Sequence, residues 1–244
     1  MPEGPSIAIL CDEASIFVNQ VVLRAYGNAK IAMQRLDQQR VLDLRSFGKQ
    51  TLILFDGFYV RVHLLMFGSY LINEQRNIVP RLGLVFPNGS LNFYNGSVKL
   101  LEGDVDEVYD WRVDIMSDAW DEKRVRKLFR AAPDTFVCDA LLDQDVFAGV
   151  GNIIKNEVLY LCKVHPLSRV GALSARKANE IVAQARAYSF RFLDWKKAHV
   201  LRKHWLVHNQ SLCPVHRIPL SRGYLGKRKR RSFYCLKCQR LYDA

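Results

Sequence analysis

Four residues near the C-terminal end of the sequence have the types and spacing of metal ligands. Cys213 and His216 are separated by two residues, Cys235 and Cys238 are separated by two more, and 18 residues lie between the pairs. Three thiolates and one imidazole suit tetrahedral zinc, and four protein ligands leave no open position on the ion. We therefore predict one structural Zn²⁺; the alternative is a set of free thiols in a mobile tail.

The N-terminal end has a different chemistry. Pro2 follows the initiator Met1, and Glu3 follows Pro2. If Met1 is removed, Pro2 presents a secondary amine whose pKa is near that of other α-amino groups, about 8. Such an amine can attack the anomeric carbon of a sugar and form an iminium ion, while Glu3 transfers protons. Taken alone, a Met-Pro-Glu start is more often a processing signal than a catalytic site.

The secondary-structure elements predicted to position these groups change along the chain from one helix to strands and then to further helices. An apolar repeat near helical spacing predicts a helix over residues 3–18. Short β-branched and aromatic runs separated by Gly and Asn predict strands. They cover residues 21–23, 41–44, 51–55, 58–64, 82–86 and 91–94. Helical periods then begin near residues 121, 139, 152 and 173.

This order predicts an α+β protein in three parts. Residues 1–115 form an N-terminal β-sandwich with flanking helices, residues 116–205 form a helical domain, and residues 206–244 form a zinc-stapled β-hairpin. The other thiols lie in apolar segments and are expected to be buried without chemical function. They are Cys11, Cys138 and Cys162.

Charge is distributed unevenly. Residues 1–150 carry 16 Lys and Arg against 20 Asp and Glu, whereas residues 151–244 carry 20 against 4. A basic surplus confined to one part of a chain favours a polyanionic partner over general solubility. No apolar run is long enough for a membrane helix, and the Met1–Pro5 start has no basic region ahead of an apolar run, so we expect a cytoplasmic protein without a membrane partner.

Read together, the motifs resemble the formamidopyrimidine-DNA glycosylase and endonuclease VIII family of base-excision-repair enzymes. They are the Met1–Pro5 start, Lys49 within the sequence Phe-Gly-Lys-Gln-Thr-Leu at residues 47–52, residues 63–68, the Gly-Val-Gly-Asn sequence at residues 149–152 and the terminal finger. The resemblance covers essentially the whole chain. It implies an N-terminal β-sandwich, a helix-two-turns-helix domain, a zinc finger and binding to damaged double-stranded DNA.

The resemblance also implies roles for individual residues. Pro2 matches the nucleophile that releases the base and then cleaves the abasic site by β,δ-elimination, and Glu3 matches its acid/base partner. Lys49 matches a lysine that contacts phosphate and assists catalysis. Gly151 and Asn152 match the phosphate-binding start of a helix.

In the finger, Arg230 matches the hairpin arginine that grips phosphates beside the lesion, with Arg231 as the alternative. The basic run at residues 227–231 also resembles a nuclear localisation signal, although a DNA-binding hairpin explains it as well. Leu65, Met66 and Phe67 match the segment that fills the gap left by a flipped nucleotide. Without the family, these three residues would be read as the end of a core strand.

Two departures from the family bear on the substrate. The Arg-Arg-Phe-Gly loop of the oxidised-purine branch is missing from residues 93–99, which favours the endonuclease VIII branch and oxidised pyrimidines. Ser6 stands where many members carry an acidic residue. We therefore expect a monomeric DNA glycosylase with AP lyase activity, nucleoid-associated if the host is bacterial. An oxidised-purine glycosylase and a non-catalytic zinc-containing nucleic-acid-binding protein are the alternatives.

Overall fold

The computed structural model describes residues 2–243, and the chain divides into two compact units between Asp110 and Trp111. The first unit is built mainly of strands and the second mainly of helices and one β-hairpin. The predicted α+β class is thereby confirmed, because β-branched and aromatic runs dominate before the division and helical periods after it. The predicted domain boundaries, after residues 115 and 205, stay predictions.

The first unit begins with helix α1, Gly4–Ala14, which continues as a 3-10 helix over Ser15–Phe17. Glu3 is its N-cap residue, and Pro5 lies in the first turn, where a missing N–H is tolerated. Ile7, Leu10 and Ala14 are fully buried at the spacing of one helical face. The helix predicted over residues 3–18 is therefore present, with its last turn tightened to 3-10 geometry.

Two four-stranded antiparallel sheets form the β-sandwich. One has the order β2-β3-β4-β8 and the other the order β1-β6-β7-β5. Buried side chains from α1 and from both sheets form one hydrophobic core. The strands are β1 Arg24–Tyr26, β2 Asp43–Phe47, β3 Gln50–Leu54, β4 Phe58–His63, β5 Ser69–Ile72, β6 Leu82–Phe86, β7 Gly89–Tyr94 and β8 Ser97–Glu102. A short helix, α2, spans Val105–Val108.

Four strands differ from the sequence prediction. The run at residues 21–23 forms only a single bridge from Val21 to Arg40, and β1 begins after it. β2 begins and ends later than the predicted strand at residues 41–44. β5 and β8 were not predicted, since β5 is half-buried throughout and only Val98 of β8 is fully buried. Strands without a continuous apolar face lack the alternation that sequence patterns detect.

The described part of the second unit contains four α-helices and two short 3-10 helices. The α-helices are α3 Glu122–Arg130, α4 Val137–Ala140, α5 Asn152–Leu161 and α6 Ala175–Lys197. Asp121 and Ser174 cap α3 and α6 by accepting hydrogen bonds from backbone N–H groups in the first turn. α5 coincides with the predicted helix, whereas α4 begins two residues before the predicted start at residue 139, and its N-cap residue Phe136 forms no side-chain capping hydrogen bond.

The second unit ends in an antiparallel hairpin of β9, Ser221–Leu225, and β10, Arg230–Tyr234. Its small core combines Phe233 with Tyr160, Val207 and Leu220. The hairpin predicted between the two Cys pairs is therefore present. Across residues 2–243, no helix is both long enough and apolar enough to span a bilayer.

Candidate functional site

The N-terminal segment places Pro2 directly before a buried carboxyl group. Pro2 is half-buried, and Glu3 is 1% exposed. The carbonyl of Glu3 accepts hydrogen bonds from the backbone N–H groups of Ser6 and Ile7, at 2.8 and 3.3 Å, so that α1 holds residue 3 in place. The predicted removal of Met1 lies outside the described residues.

Lys49 lies in the tight turn between β2 and β3, next to Gly48, which has a φ of +57°. Pairing of β3 with β4 sets Gln50 opposite His63, so this turn and the end of β4 meet at one end of the sheet. Burial lowers the pKa of His63, and the charges of Lys49 and Arg61 lower it further. The structure thus brings Lys49 close to His63, two residues before the predicted gap-filling segment.

The predicted gap-filling segment forms an exposed turn after β4. Leu65, Met66 and Phe67 are 49%, 51% and 80% exposed. Gly68 closes the turn by donating from its N–H to the Leu64 carbonyl at 2.7 Å, and a Cβ at Gly68 would lie 2.0 Å from that oxygen. These side chains are not core residues at a strand end, and their proposed insertion into DNA stays a prediction.

The glycine-rich turn before α5 has the expected local form. Gly149 adopts a φ of +101°, and Gly151 is the N-cap of α5. Asn152, the first residue of α5, donates from its side-chain amide to the carbonyl of Arg231 at 2.8 Å. Its Oδ1 atom is buried, and no described residue forms a hydrogen bond with it. Asn152 therefore ties α5 to the hairpin, and its phosphate contact stays a prediction.

Both candidate arginines lie at the start of β10. Arg230 pairs with Leu225 across the hairpin and is half-buried, whereas Arg231 is exposed and its guanidinium lies 5.1 Å from the centre of the Phe233 ring. The choice between them as the phosphate-gripping residue stays a prediction. The basic run at residues 227–231 thus includes the turn of the hairpin.

The four predicted metal ligands converge in one cluster, with all ligand atoms within 4.8 Å of one another. The Sγ atoms of Cys213 and Cys238 are 3.6 Å apart, and Nδ1 of His216 lies 3.8, 3.7 and 3.2 Å from Sγ of Cys213, Cys235 and Cys238. A tetrahedral zinc site with Zn–S bonds of about 2.3 Å requires S–S separations of about 3.8 Å. The residues present therefore fit a zinc ion.

The thiols of the chain differ in how readily they ionise. Burial opposes ionisation of Cys213, yet hydrogen bonds from the His216 N–H, the Tyr160 hydroxyl and the Val215 N–H lower its pKa to about 6. Burial raises the pKa of both Cys138 and Cys162 to about 12. Burial, together with hydrogen bonding to the neighbouring thiols, also raises the pKa of Cys238 to about 11. A thiolate is the form that binds metal, so Cys213 is suited to be a ligand, while the convergence of the four ligand atoms, and not the pKa, sets the clustered cysteines apart.

Sequence reasoning missed three polar residues in the middle of α5. Lys155, Asn156 and Glu157 are at most 1% exposed. The Glu157 carboxylate accepts three backbone N–H groups from residues 206–208, at 2.7 to 3.0 Å. Consecutive helical residues point in directions about 100° apart, so the burial of all three shows that α5 is enclosed on several sides. Adjacent polar residues in a helix normally indicate exposure to solvent, so the sequence held no signal for this burial.

The helical unit matches the family model of the formamidopyrimidine-DNA glycosylase H2TH domain over residues 113–189. A solved structure of Lactococcus lactis formamidopyrimidine-DNA glycosylase, bound non-covalently to DNA containing an AP site, has the same fold. Its TM-score is 0.84 over 98% of this chain and 99% of that one, at 19% identity. The chain is therefore an H2TH-domain protein with the fold of the formamidopyrimidine-DNA glycosylases.

Two relatives are similar to this chain over most of its length. Endonuclease 8-like 3 of Mus musculus is 28% identical over 97% of this chain and 41% of that protein. Endonuclease 8-like 2 of Bos taurus is 32% identical over 74% of this chain and 58% of that protein. The chain belongs to the formamidopyrimidine-DNA glycosylase and endonuclease VIII family of DNA-repair glycosylases. It spans about two fifths of the length of the first relative.

Proposed function

We propose that this protein is a bifunctional DNA glycosylase that excises oxidised bases and cleaves the resulting abasic site. The observation that carries the proposal is Pro2 next to the buried carboxyl group of Glu3 at the start of α1. An α-amine with a pKa of about 8 keeps a neutral fraction at physiological pH and can act as a nucleophile.

In the proposed reaction, the lone pair of the Pro2 nitrogen attacks C1′ of the damaged nucleotide, and the bond from C1′ to the base breaks. The base leaves with a proton, and the sugar ring opens to an iminium ion on Pro2. Glu3 donates and accepts protons during ring opening and elimination. Loss of the 3′ and then the 5′ phosphate completes β,δ-elimination, and water releases the sugar fragment from Pro2.

Damaged double-stranded DNA is the proposed substrate. Lys49, Asn152 with Gly151, and Arg230 would bind phosphates, and Leu65, Met66 and Phe67 would occupy the gap left by the flipped nucleotide. The exposure of the last three side chains supports that role. The solved Lactococcus lactis relative was crystallised with AP-site DNA, which supports the same partner for this chain.

Oxidised pyrimidines are the proposed lesion class. Only Asn95 and Gly96 connect β7 to β8, so this connection has no room for the loop with which the oxidised-purine branch probes the opposite base. The names of the endonuclease 8-like relatives support the same branch. Ser6 lies in the first turn of α1, where an auxiliary carboxylate would stand in many members.

The Cys213, His216, Cys235 and Cys238 cluster would hold one Zn²⁺. With four protein ligands, the ion would stabilise the fold of the finger and take no part in the reaction. We propose that zinc keeps the hairpin folded so that its arginines reach the phosphates, while the covalent chemistry stays at Pro2.

Borohydride trapping tests the proposal. Untagged protein whose Met1 removal is verified by mass spectrometry is incubated with abasic-site duplex and borohydride, and a covalent adduct is expected. In the control variant one Ala is inserted before Pro2, so that the proline nitrogen is an amide and cannot attack, and peptide mapping should find no adduct on that proline. Binding of the duplex without an adduct would overturn the proposed enzymatic activity and would favour a non-catalytic DNA-binding protein.

A panel of duplexes tests the lesion class. We expect release of thymine glycol and dihydrouracil to be faster than release of 8-oxoguanine, with an abasic duplex as the positive control for strand cleavage. Faster release of 8-oxoguanine would favour the oxidised-purine alternative.

A further inference from the structure

Two buried charged side chains of the helical unit hold the hairpin β9–β10 at points on either side of Arg230. Lys155 of α5 is fully buried, and Asp139 of α4 is 5% exposed. We propose that Lys155 and Asp139 are positioning residues that fix the hairpin for phosphate binding, although neither touches DNA. The inference rests on the proposed function, which assigns phosphate binding to the hairpin arginines.

Lys155 holds the second strand of the hairpin. Its Nζ atom donates to the Ser232 hydroxyl at 2.7 Å and to the Arg231 carbonyl at 3.3 Å. The side-chain amides of Asn152 and Asn156 donate to the same carbonyl at 2.8 and 3.4 Å. A carbonyl oxygen that receives three donors from one helix has little freedom to move.

Asp139 holds the turn of the hairpin. Its two carboxylate oxygens accept hydrogen bonds from the backbone N–H groups of Lys227 and Arg228, at 2.7 and 3.0 Å. Charge-assisted hydrogen bonds of this kind are stronger than neutral ones. Gly226 precedes these residues with a φ of +75°, and a Cβ there would lie 2.4 Å from the Asp139 carboxylate. The turn therefore fits closely against α4.

The two attachments leave a short backbone segment between them. Asp139 binds residues 227 and 228, and Lys155 binds residues 231 and 232. Arg230 lies between these points, so its backbone is fixed on both sides while its side chain stays half-exposed. A side chain with a fixed origin loses less freedom when it binds a phosphate, and this preorganisation strengthens binding.

Burial excludes a direct role for either residue. A lysine that is 0% exposed cannot reach a phosphate, and a carboxylate repels one. Burying a charge is costly unless hydrogen bonds satisfy it, and the hairpin supplies acceptors to Lys155 and donors to Asp139. Any effect of these residues on the salt dependence of DNA binding must therefore pass through the hairpin.

The test measures affinity for a duplex that contains a tetrahydrofuran abasic analogue, which Pro2 cannot attack productively. The full chain is compared with Lys155→Met, Asp139→Asn and Arg230→Ala over a range of salt concentrations. Lys155→Met and Arg230→Ala should each weaken binding about tenfold. Each should also reduce the log–log salt slope by about 0.9, the value for one lost phosphate contact.

The double variant Lys155→Met with Arg230→Ala distinguishes a positioning role of Lys155 from a general loss of stability. If Lys155 acts through Arg230, the double variant should bind as weakly as Arg230→Ala alone, because coupled residues are not additive. Additive losses, or an unchanged salt slope in Lys155→Met, would overturn the inference. Lys123→Met and Asp134→Asn change exposed side chains away from the hairpin and should bind normally.

Zinc content and melting temperature establish that each variant is folded before binding is interpreted. Should Lys155→Met fail to fold, Asp139→Asn carries the same test through its own double variant with Arg230→Ala. Trapping at Pro2 is scored separately. Non-additive losses of affinity without a trapped adduct would overturn the proposed chemistry but not this inference. Additive losses with a trapped adduct would overturn this inference but not the chemistry. If the unmodified chain does not bind the duplex, both are overturned.

Discussion

The imidazole of His63 accepts a hydrogen bond from the backbone N–H of Leu65, with 3.0 Å between Nδ1 and the nitrogen. Leu65 has a φ of +54°, a conformation that a leucine adopts only when its surroundings hold it there. Only an Nδ1 atom without a proton can accept this bond. The neutral form of His63 thus stabilises the exposed turn of residues 65–67.

Acidification should weaken this turn. Burial, together with Lys49 and Arg61, lowers the pKa of His63 below its usual 6.5. Between the lowered pKa and 6.5, the unfolded chain binds a proton that the folded chain does not, so stability falls as pH falls through this range. The contribution from His63 is at most about 1.4 kcal/mol for each pH unit.

Denaturant unfolding at pH 7.0 and 5.5 measures this effect. The unmodified protein should lose more stability on acidification than His63→Asn, because the variant lacks the imidazole. His199→Asn removes an exposed imidazole at another left-handed position and serves as the control. Equal losses in the unmodified protein and in His63→Asn would contradict the prediction.

Phe67→Ala should change DNA recognition without changing stability. Phe67 is 80% exposed, and truncation of an exposed side chain costs within about 0.5 kcal/mol. If Phe67 fills the gap beside a flipped nucleotide, its loss should lower the preference for abasic-analogue duplex over intact duplex by about tenfold. Fluorescence anisotropy with both duplexes measures this ratio.

Ile78→Ala is the matched control, since Ile78 is 55% exposed and belongs to the same unit. Its ratio of affinities should equal that of the unmodified protein. A Phe67→Ala variant with an unchanged ratio would remove Phe67 from the gap-filling segment, and the same comparison applied to Met66 would then decide the central position.

Sequence patterns predicted the features that depend on nearby residues. The metal cluster follows from two-residue gaps, and α5 follows from an apolar period that begins after glycine. The contact between Asn152 and Arg231 joins residues 79 positions apart, and no local pattern predicts it. Lys155 was missed for the same reason, because a lysine in a helix indicates solvent until its partner in another element is known.

Gly226→Ala should destabilise the hairpin by more than the free-energy cost of placing an alanine at a left-handed φ. An alanine at a left-handed φ costs about 1 to 2 kcal/mol. Gly57, with a φ of +77°, has no atom within 4 Å of a built Cβ, whereas the same atom at Gly226 meets the Asp139 carboxylate at 2.4 Å. Gly57→Ala therefore isolates the backbone cost.

We expect Gly226→Ala to lose more stability than Gly57→Ala in denaturant unfolding and to weaken binding to abasic-analogue duplex, which Gly57→Ala should leave unchanged. In an Asp139→Ala background, Gly226→Ala should cost no more stability than Gly57→Ala does, since the contact with the carboxylate is gone. Equal destabilisation by the two glycine variants would show that the turn does not press against Asp139.

Replacement of His216 tests whether the finger depends on its metal. Structural zinc supplies much of the folding free energy of a small finger, about 10 to 16 kcal/mol in isolated peptides. His216→Cys keeps four ligands and should retain one zinc ion per chain, whereas His216→Ala leaves three and should lower both zinc occupancy and affinity for DNA. Metal analysis of purified protein measures the occupancy. Cys162→Ala removes a fully buried thiol and should keep the zinc, because Cys162 is not among the four residues whose ligand atoms converge. Full occupancy in His216→Ala would mean that the other three ligands hold the ion without the imidazole.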